Sequence, residues 1–287
     1  MRTAALFLAM ALLGVPCPAS AKGPGLRVLA SFLPIYLFAR NVAGNAPGVD
    51  VEMMLPAQLG CPHDYALTPG DMRKIARADL FLANGRGMED FLGAPVRRVN
   101  PSIRVVETAA GVPPSPDDNP HTWVSPRNAI LQVRAIERAL AEASPGNAPL
   151  FRRNADAYIR RLAALTREFE EAAPRFRNRK IVTFHNVFDY LARDLGLTVV
   201  GRVEETAGQS PSAGEMAALI RTIRDTGAAA IFAEPQYPRR LAETIGREAG
   251  VPVRTLDPVA TGSVSPTTYE EAMRKNLSVL TEVLSAR

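Results

Sequence analysis

Short apolar, β-branched runs alternate with amphipathic stretches along most of this chain, and that alternation predicts strands and helices in turn. Strands are expected over 26–32 (LRVLASF), 49–55, 79–84 (DLFLAN, closed by Gly85) and 103–107, with helices over 35–42, 69–77 and 126–143. Thr68 followed by Pro69 supplies an N-cap and a first-position proline for the helix at 69–77. Apolar strands that each lead into a helix imply a mostly parallel sheet covered on both faces.

The texture then changes. From 149 to 173 there is no glycine, and no proline after the first residue. The apolar positions Phe151, Ala155, Tyr158, Leu162, Leu165 and Phe169 step by three or four. This spacing predicts one helix of about 25 residues, about 37 Å long at the rise of an α-helix, stopped by Pro174. Beyond it the alternation restarts, with strands over 180–184, 197–203, 229–233 and 251–256 and helices over 187–195, 213–226, 238–249 and 268–285. The fold class expected is therefore α/β. Two lobes, 22–146 and 178–287, each hold a mostly parallel sheet flanked by helices and are joined by one long rigid helix within 147–177. A flexible hinge would carry glycine or serine; a rod predicts limited motion between lobes. No repeat is visible at the residue level, and there is no low-complexity tract.

Residues 1–21 read as a segment apart. Arg2 gives a positive start, 4–15 is an apolar run too short to span a bilayer, and Ala19-Ser20-Ala21 is a small-x-small cleavage signal. A cleaved signal peptide and a periplasmic, soluble mature protein are expected. Cys17 raises the alternative of a lipoprotein cysteine, but Gly14-Val15-Pro16 lacks the usual leucine and small residue before it, so anchoring is not expected. Removing 1–21 leaves Cys61 as the one cysteine, with no intramolecular partner. The formal charge is +5, or +4 without Arg2. The arginines alternate with glutamates along helices, the pattern of solvated faces rather than of a nucleic-acid stripe. No nucleic-acid partner is expected, and a monomer is.

With 287 residues and only three histidines, where the histidines fall is informative. His63 follows the strand at 49–55, His121 follows the strand at 103–107, and His185 caps the strand at 180–184; Asp257 likewise follows 251–256. Ligand sites of α/β sheets lie beyond strand ends. Three neutral imidazoles and a carboxylate, two from each lobe, would form a closed four-coordinate set suited to Zn²⁺. A strand-end histidine is also an ordinary hydrogen-bonded residue, and no local HExxH or CxxC signature is present, so spacing alone leaves both readings open.

The stretches around these residues resemble the metal-specific, zinc and manganese, solute-binding proteins of ABC importers. Cys61-Pro-His63-Asp-Tyr65-Ala-Leu-Thr-Pro69 is similar to that family's H-x-Y-x-x-x-P segment. Asn119-Pro-His121-Thr-Trp123-Val-Ser-Pro126 is similar to its D-P-H-x-W-x-x-P, Phe184-His185-Asn-Val-Phe-Asp-Tyr190 to its F-H-x-x-x-x-Y, and Leu256-Asp257-Pro258 to its late aspartate segment. Residues 204–212 and 232–236 match further family stretches, and the resemblance runs in order over nearly the whole chain beyond the leader.

It implies His63, His121, His185 and Asp257 as metal ligands, no catalysis, and delivery of Zn²⁺ to a membrane ABC permease, with a periplasmic metallochaperone as a further partner. His185 favours zinc, because manganese binders of the family resemble one another in having a carboxylate there. Three alternatives remain: a manganese or iron carrier of the same family; a secreted zinc hydrolase with Glu234 as general base; or a metal-binding adhesin.

The chain departs from the family in three places, one of them Cys61, which is unusual so close to His63. The His-rich or acidic loop that many zinc members carry is absent, since 111–118 (GVPPSPDD) holds only two aspartates, and Asn119 stands where the family has aspartate. Trp123 and Tyr65 are expected to pack beside the site and exclude water, and Asn84-Gly-Arg-Gly87 lacks the Lys-Ser/Thr of a phosphate loop. Because imidazolium cannot ligate, metal affinity is expected to fall as pH drops from about 7.5 to about 5.5, through the ordinary histidine value of about 6.5. A chelator-competition titration across that range measures it.

Overall fold

The first strand, β1 (Leu26–Ala30), is buried over its last three residues because it lies inside a sheet and under helices at once. The structure, a computed structural model, describes residues 25–286 except 61, 63–64, 116 and 205–209. The expected signal segment, and with it Cys17, lies outside the described residues, as do Cys61 and His63. Among the described residues no helix is long and apolar enough to cross a membrane.

Helix α1 (Leu33–Ala43) follows β1, then β2 (Val49–Met53), α2 (Pro69–Arg77), β3 (Leu80–Ala83), α3 (Gly93–Val99) and β4 (Arg104–Glu107). The four strands form one parallel sheet in the order β2-β1-β3-β4. After α4 (Pro126–Ala143) and α5 (Ala148–Ala172) the pattern is repeated. β5 (Lys180–Thr183), α6 (Asp189–Leu195), β6 (Thr198–Arg202), α7 (Ala213–Thr226), β7 (Ile231–Ala233), α8 (Arg240–Ala249) and β8 (Val253–Thr255) build a second parallel sheet, β6-β5-β7-β8. The two sheets thus share one strand order, a duplication of topology that no residue-level repeat announces. Helix α9 (Thr268–Leu284) ends the described chain.

Local chemistry explains several boundaries. Thr68 caps α2 in a reciprocal box, its hydroxyl accepting from Asp71 N while the Asp71 carboxylate accepts from Thr68 N. Ser125 caps α4 with Pro126 next in line, and Ser212 with Glu215 opens α7, which Gly227 closes in the left-handed conformation. Helix α3 is an addition to the expected elements, because Gly93 and Pro95 read as breakers. Pro95 sits in its first turn, where the missing N–H would have had no helical acceptor.

Helix α5 buries Phe151, Ala155, Tyr158, Leu162, Leu165 and Phe169 along one face. These residues belong to a single apolar cluster that takes in Leu29, Phe38 and Phe81 from the first sheet's side and Ile181, Phe188 and Phe232 from the second's. A smaller cluster, including Val182, Phe184, Ile231 and Ile245, covers the other face of the second sheet. Arg161 of α5 donates to Glu270 of α9 at 2.8 Å and to Asn41 of α1 at 2.6 Å, so three helices from distant parts of the chain are tied at one guanidinium. The lobes are joined by a shared interior as well as by a connecting rod.

Leu162→Ala is expected to cost about 2–5 kcal/mol. Because the core is common to both lobes, calorimetry of the variant should still show one unfolding transition at a lower midpoint.

Candidate metal centre

Each sheet delivers one histidine to the seam between the lobes. His185 follows the end of β5, the strand at which the second sheet's order reverses, and His121 lies in the loop between β4 and α4. Both are 1% exposed. Their ring centroids are 5.0 Å apart at an interplanar angle of 77°, an edge-to-face pair across the seam.

Hydrogen bonding sets the tautomer of each ring. The Nδ1 of His185 lies 2.6 Å from Glu234 Oε1, and against the ionised carboxylate it acts as donor. Glu234, at the end of β7, is fully buried, and its second oxygen accepts from Gln236 Nε2 at 2.7 Å. Burial pushes the Glu234 carboxyl above its ordinary value, while the bond to His185 pulls the other way. In the neutral ring with that bond the lone pair resides on Nε2, which is buried and has no hydrogen-bond partner among the described residues. A buried nitrogen lone pair without a donor is the expected state of a metal-ligating imidazole whose other nitrogen is held by a carboxylate.

His121 is set in the same way by a neutral group. Its Nδ1 lies 2.7 Å from Asn119 Oδ1, which also accepts from the His121 backbone N–H at 2.9 Å. The Asn119 amide is oriented by its own donation to the carbonyl of Asn186, so the oxygen faces His121 and the ring proton is on Nδ1. Trp123 packs its ring 5.3 Å from His121, is fully buried, and donates from Nε1 to Pro258 O at 2.7 Å. It packs beside His121, where it was expected. Tyr65 donates to Asp71 at 2.7 Å, which places it on the cap of α2.

Asp257 stands beside that Pro258 contact, half-buried after β8. Its backbone N–H donates to Asn276 Oδ1, and its Oδ1 accepts from Val259 N at 2.7 Å. Burial raises its carboxyl above the usual range. Val259 has φ +60, a left-handed conformation that β-branched residues strongly disfavour, so backbone strain is held next to this carboxylate. Of the four expected ligands, the structure brings His121 and His185 together and sets Asp257 on the same seam, while His63 lies outside the described residues. Among the described residues no group of three or more metal-ligating side chains is assembled.

The loop carrying His121 is held from behind by Asn84 at the end of β3. Asn84 Nδ2 donates to Pro120 O, its Oδ1 accepts from Thr122 and Gln132, and its N–H donates to Glu89 Oε1 at 2.8 Å. Glu89 also accepts from Gly85 N at 2.9 Å, and burial raises its carboxyl to about 7. Arg86, also at positive φ, ties the 111–118 loop by donating to Val112 O and to Asp118.

The family described as zinc-uptake complex component A, periplasmic, matches residues 28–283. The chain is 29% identical to the zinc-binding lipoprotein AdcA of Streptococcus pneumoniae over 98% of its own length, and spans 60% of the length of that relative. It is 26% identical to the high-affinity zinc uptake system protein ZnuA of Bacillus subtilis, covering 93% of this chain and 90% of that one. Among solved structures it resembles the SBP FpvC of Pseudomonas aeruginosa, solved with Ni²⁺ and with Mn²⁺, at 32% identity and a TM-score of 0.82, over 91% of this chain and 97–98% of FpvC.

Glu234→Gln is expected to weaken metal binding about tenfold, and Glu234→Ala up to about a hundredfold, because each loosens the hold on His185; competition with a chelator reads both. Glu89 has a separate signature. Its folded value of about 7 lies above the ordinary 4.5, so its contribution to stability is complete below about 4.5 and is lost as pH rises through about 7. Denaturant melts should show wild type losing up to about 3 kcal/mol relative to Glu89→Gln across that window.

Proposed function

The chain belongs to the periplasmic zinc-uptake component A family, and on that premise we propose that it captures Zn²⁺ outside the cytoplasm and delivers it to a membrane ABC permease. The observation that carries this reading is the His121–His185 pair: two buried imidazoles from opposite lobes, each with Nδ1 committed and its lone pair on Nε2. His63 and Asp257 complete the proposed ligand set. Neutral nitrogens with one carboxylate make a borderline-soft donor set that suits zinc better than manganese. The ion is cargo, held and released through coordination bonds alone; no covalent bond is made or broken, and no catalytic residue is assigned. Glu234, the general base of a hydrolase reading, is instead committed to His185 and Gln236.

Residues 1–21 would direct export, and the two-lobed body would present the ion to the permease from the periplasmic side. A metallochaperone that loads the site is compatible with this role. The solved complexes of FpvC with Ni²⁺ and Mn²⁺ favour testing a second reading, a carrier for another divalent metal. Irving–Williams order places Zn²⁺ above Mn²⁺ at such a site in vitro, so the contest has to be run as a competition.

Native mass spectrometry of the chain from Lys22 is expected to show one zinc, retained against excess Mn²⁺. His63→Ala, His185→Ala and Asp257→Ala should each lose it, while circular dichroism stays that of the wild type. Preferential retention of Mn²⁺ would replace zinc by the second reading. Binding unaltered by all three substitutions would sink both.

A further inference from the structure

Asn119 is 1% exposed and makes hydrogen bonds in four directions. Its N–H donates to Ser115 Oγ at 2.9 Å, and its carbonyl accepts from Tyr190 OH at 3.0 Å. Its Oδ1 takes the two bonds from His121 described above. Its Nδ2 donates to Asn186 O at 2.7 Å and to Asp189 Oδ2 at 3.2 Å. Asn186 is the residue after His185, and Asp189 opens α6. One side chain is therefore bonded to the ring of one histidine and to the backbone beside the other, across the boundary between lobes.

We propose that Asn119 is the positioning residue of this site, which pins the lobes together and orients His121 in the same act, and that an amide is required there because the side chain must accept on one side and donate on the other. A carboxylate could still accept from His121. Its second oxygen would then stand where Nδ2 now stands, 2.7 Å from the Asn186 carbonyl oxygen and 3.2 Å from the Asp189 carboxylate. Three acceptors with no proton among them repel, and the seam would open by the width of that repulsion. Asp189 cannot simply turn away, since the same Oδ2 accepts from Arg202 Nη2 at 2.9 Å. Asn119 and Asp189 thus form a polarised pair, with the donor on the first lobe and the acceptor on the second. The arrangement of His121 and His185 depends on that polarity.

The part of this proposal that concerns metal rests on His121 being a ligand; the part that concerns the lobes and the ring tautomer does not. Three variants of the full chain separate the two: Asn119→Asp, the reversed pair Asn119→Asp/Asp189→Asn, and Asn119→Ala. In metal-free protein, Asn119→Asp is expected to lower the thermal midpoint. The reversed pair should recover part of the loss, because it removes one of the two facing carboxylates and puts a donor back between positions 119 and 189, while the Asn186 carbonyl still faces an acceptor. Long-range ¹⁵N–¹H NMR of the metal-free protein should show His121 protonated on Nδ1 in wild type and in the reversed pair, and as a tautomer mixture in Asn119→Ala.

In the metal titration, Asn119→Asp is expected to bind Zn²⁺ about 10–100-fold more weakly, the range for loss of a group that orients a metal-ligating imidazole. The reversed pair should lie between the single substitution and wild type. Asn119→Asp with wild-type midpoint and affinity, or a reversed pair no better than the single substitution, overturns the proposal. If wild-type protein holds no zinc while the midpoints and tautomers behave as stated, the metal-carrier reading fails and the positioning role of Asn119 stands.

Discussion

Burial of one face of α5 is the constraint from which the rest of the molecule follows. A helix about 37 Å long that is apolar along one stripe must be covered along its whole length. In this chain the covering comes from both sheets' sides, so that Phe151 and Phe169, near its two ends, sit in the same apolar cluster. Separating the lobes would uncover that stripe, at a cost of roughly 25 cal/mol for each Å² exposed. Adjustments small enough to leave the stripe covered are open to loops at the seam, and the seam is where His121 and His185 are.

At that seam the chain uses polar groups that hold one another in chains. His185 is held by a buried carboxylate and His121 by a buried amide, and both holders are held in turn, by Gln236 and by Asn186 with Asp189. Trp123 adds a cross-brace, reaching the Asp257 segment through Pro258 O while its own carbonyl accepts from Tyr269 OH of α9 at 2.7 Å. Both rings are thus fixed in place by folding, and on the proposed carrier reading the ordering cost of ligation is met largely before any ion arrives.

Much of this was legible in the chain. Thr68-Pro69 marked the start of α2, and the expected spans of α2, α4 and α7 coincide with the observed ones. The apolar pattern overextends strands, 251–256 for β8 at Val253–Thr255, because apolar residues continue into packed loops after sheet pairing has stopped. The scarcity of histidine drew attention to His121 and His185. What held them was not readable: Glu234 is 49 residues from His185 and Asp189 is 70 from Asn119, and a pair with no periodic relation leaves no mark in sequence. Asn119 itself was visible only as a departure from the family's aspartate. Its meaning depends on a carboxylate brought opposite by the fold.

The last helix carries a consequence for how the chain comes into being. Tyr269, Met273, Leu280 and Leu284 of α9 belong to the same apolar cluster as β1 and α1, and the Tyr269 hydroxyl bonds back across 146 residues to Trp123. The lobe that precedes α5 is thus finished by a helix that follows the second sheet. A chain emerging from its amino end holds an open core until α9 is free, and contacts of such long sequence separation form slowly. During that interval the unsatisfied surface is a target for self-association and for proteases. Removing α9 would leave the first lobe without part of its core, long after every residue of that lobe had been synthesised.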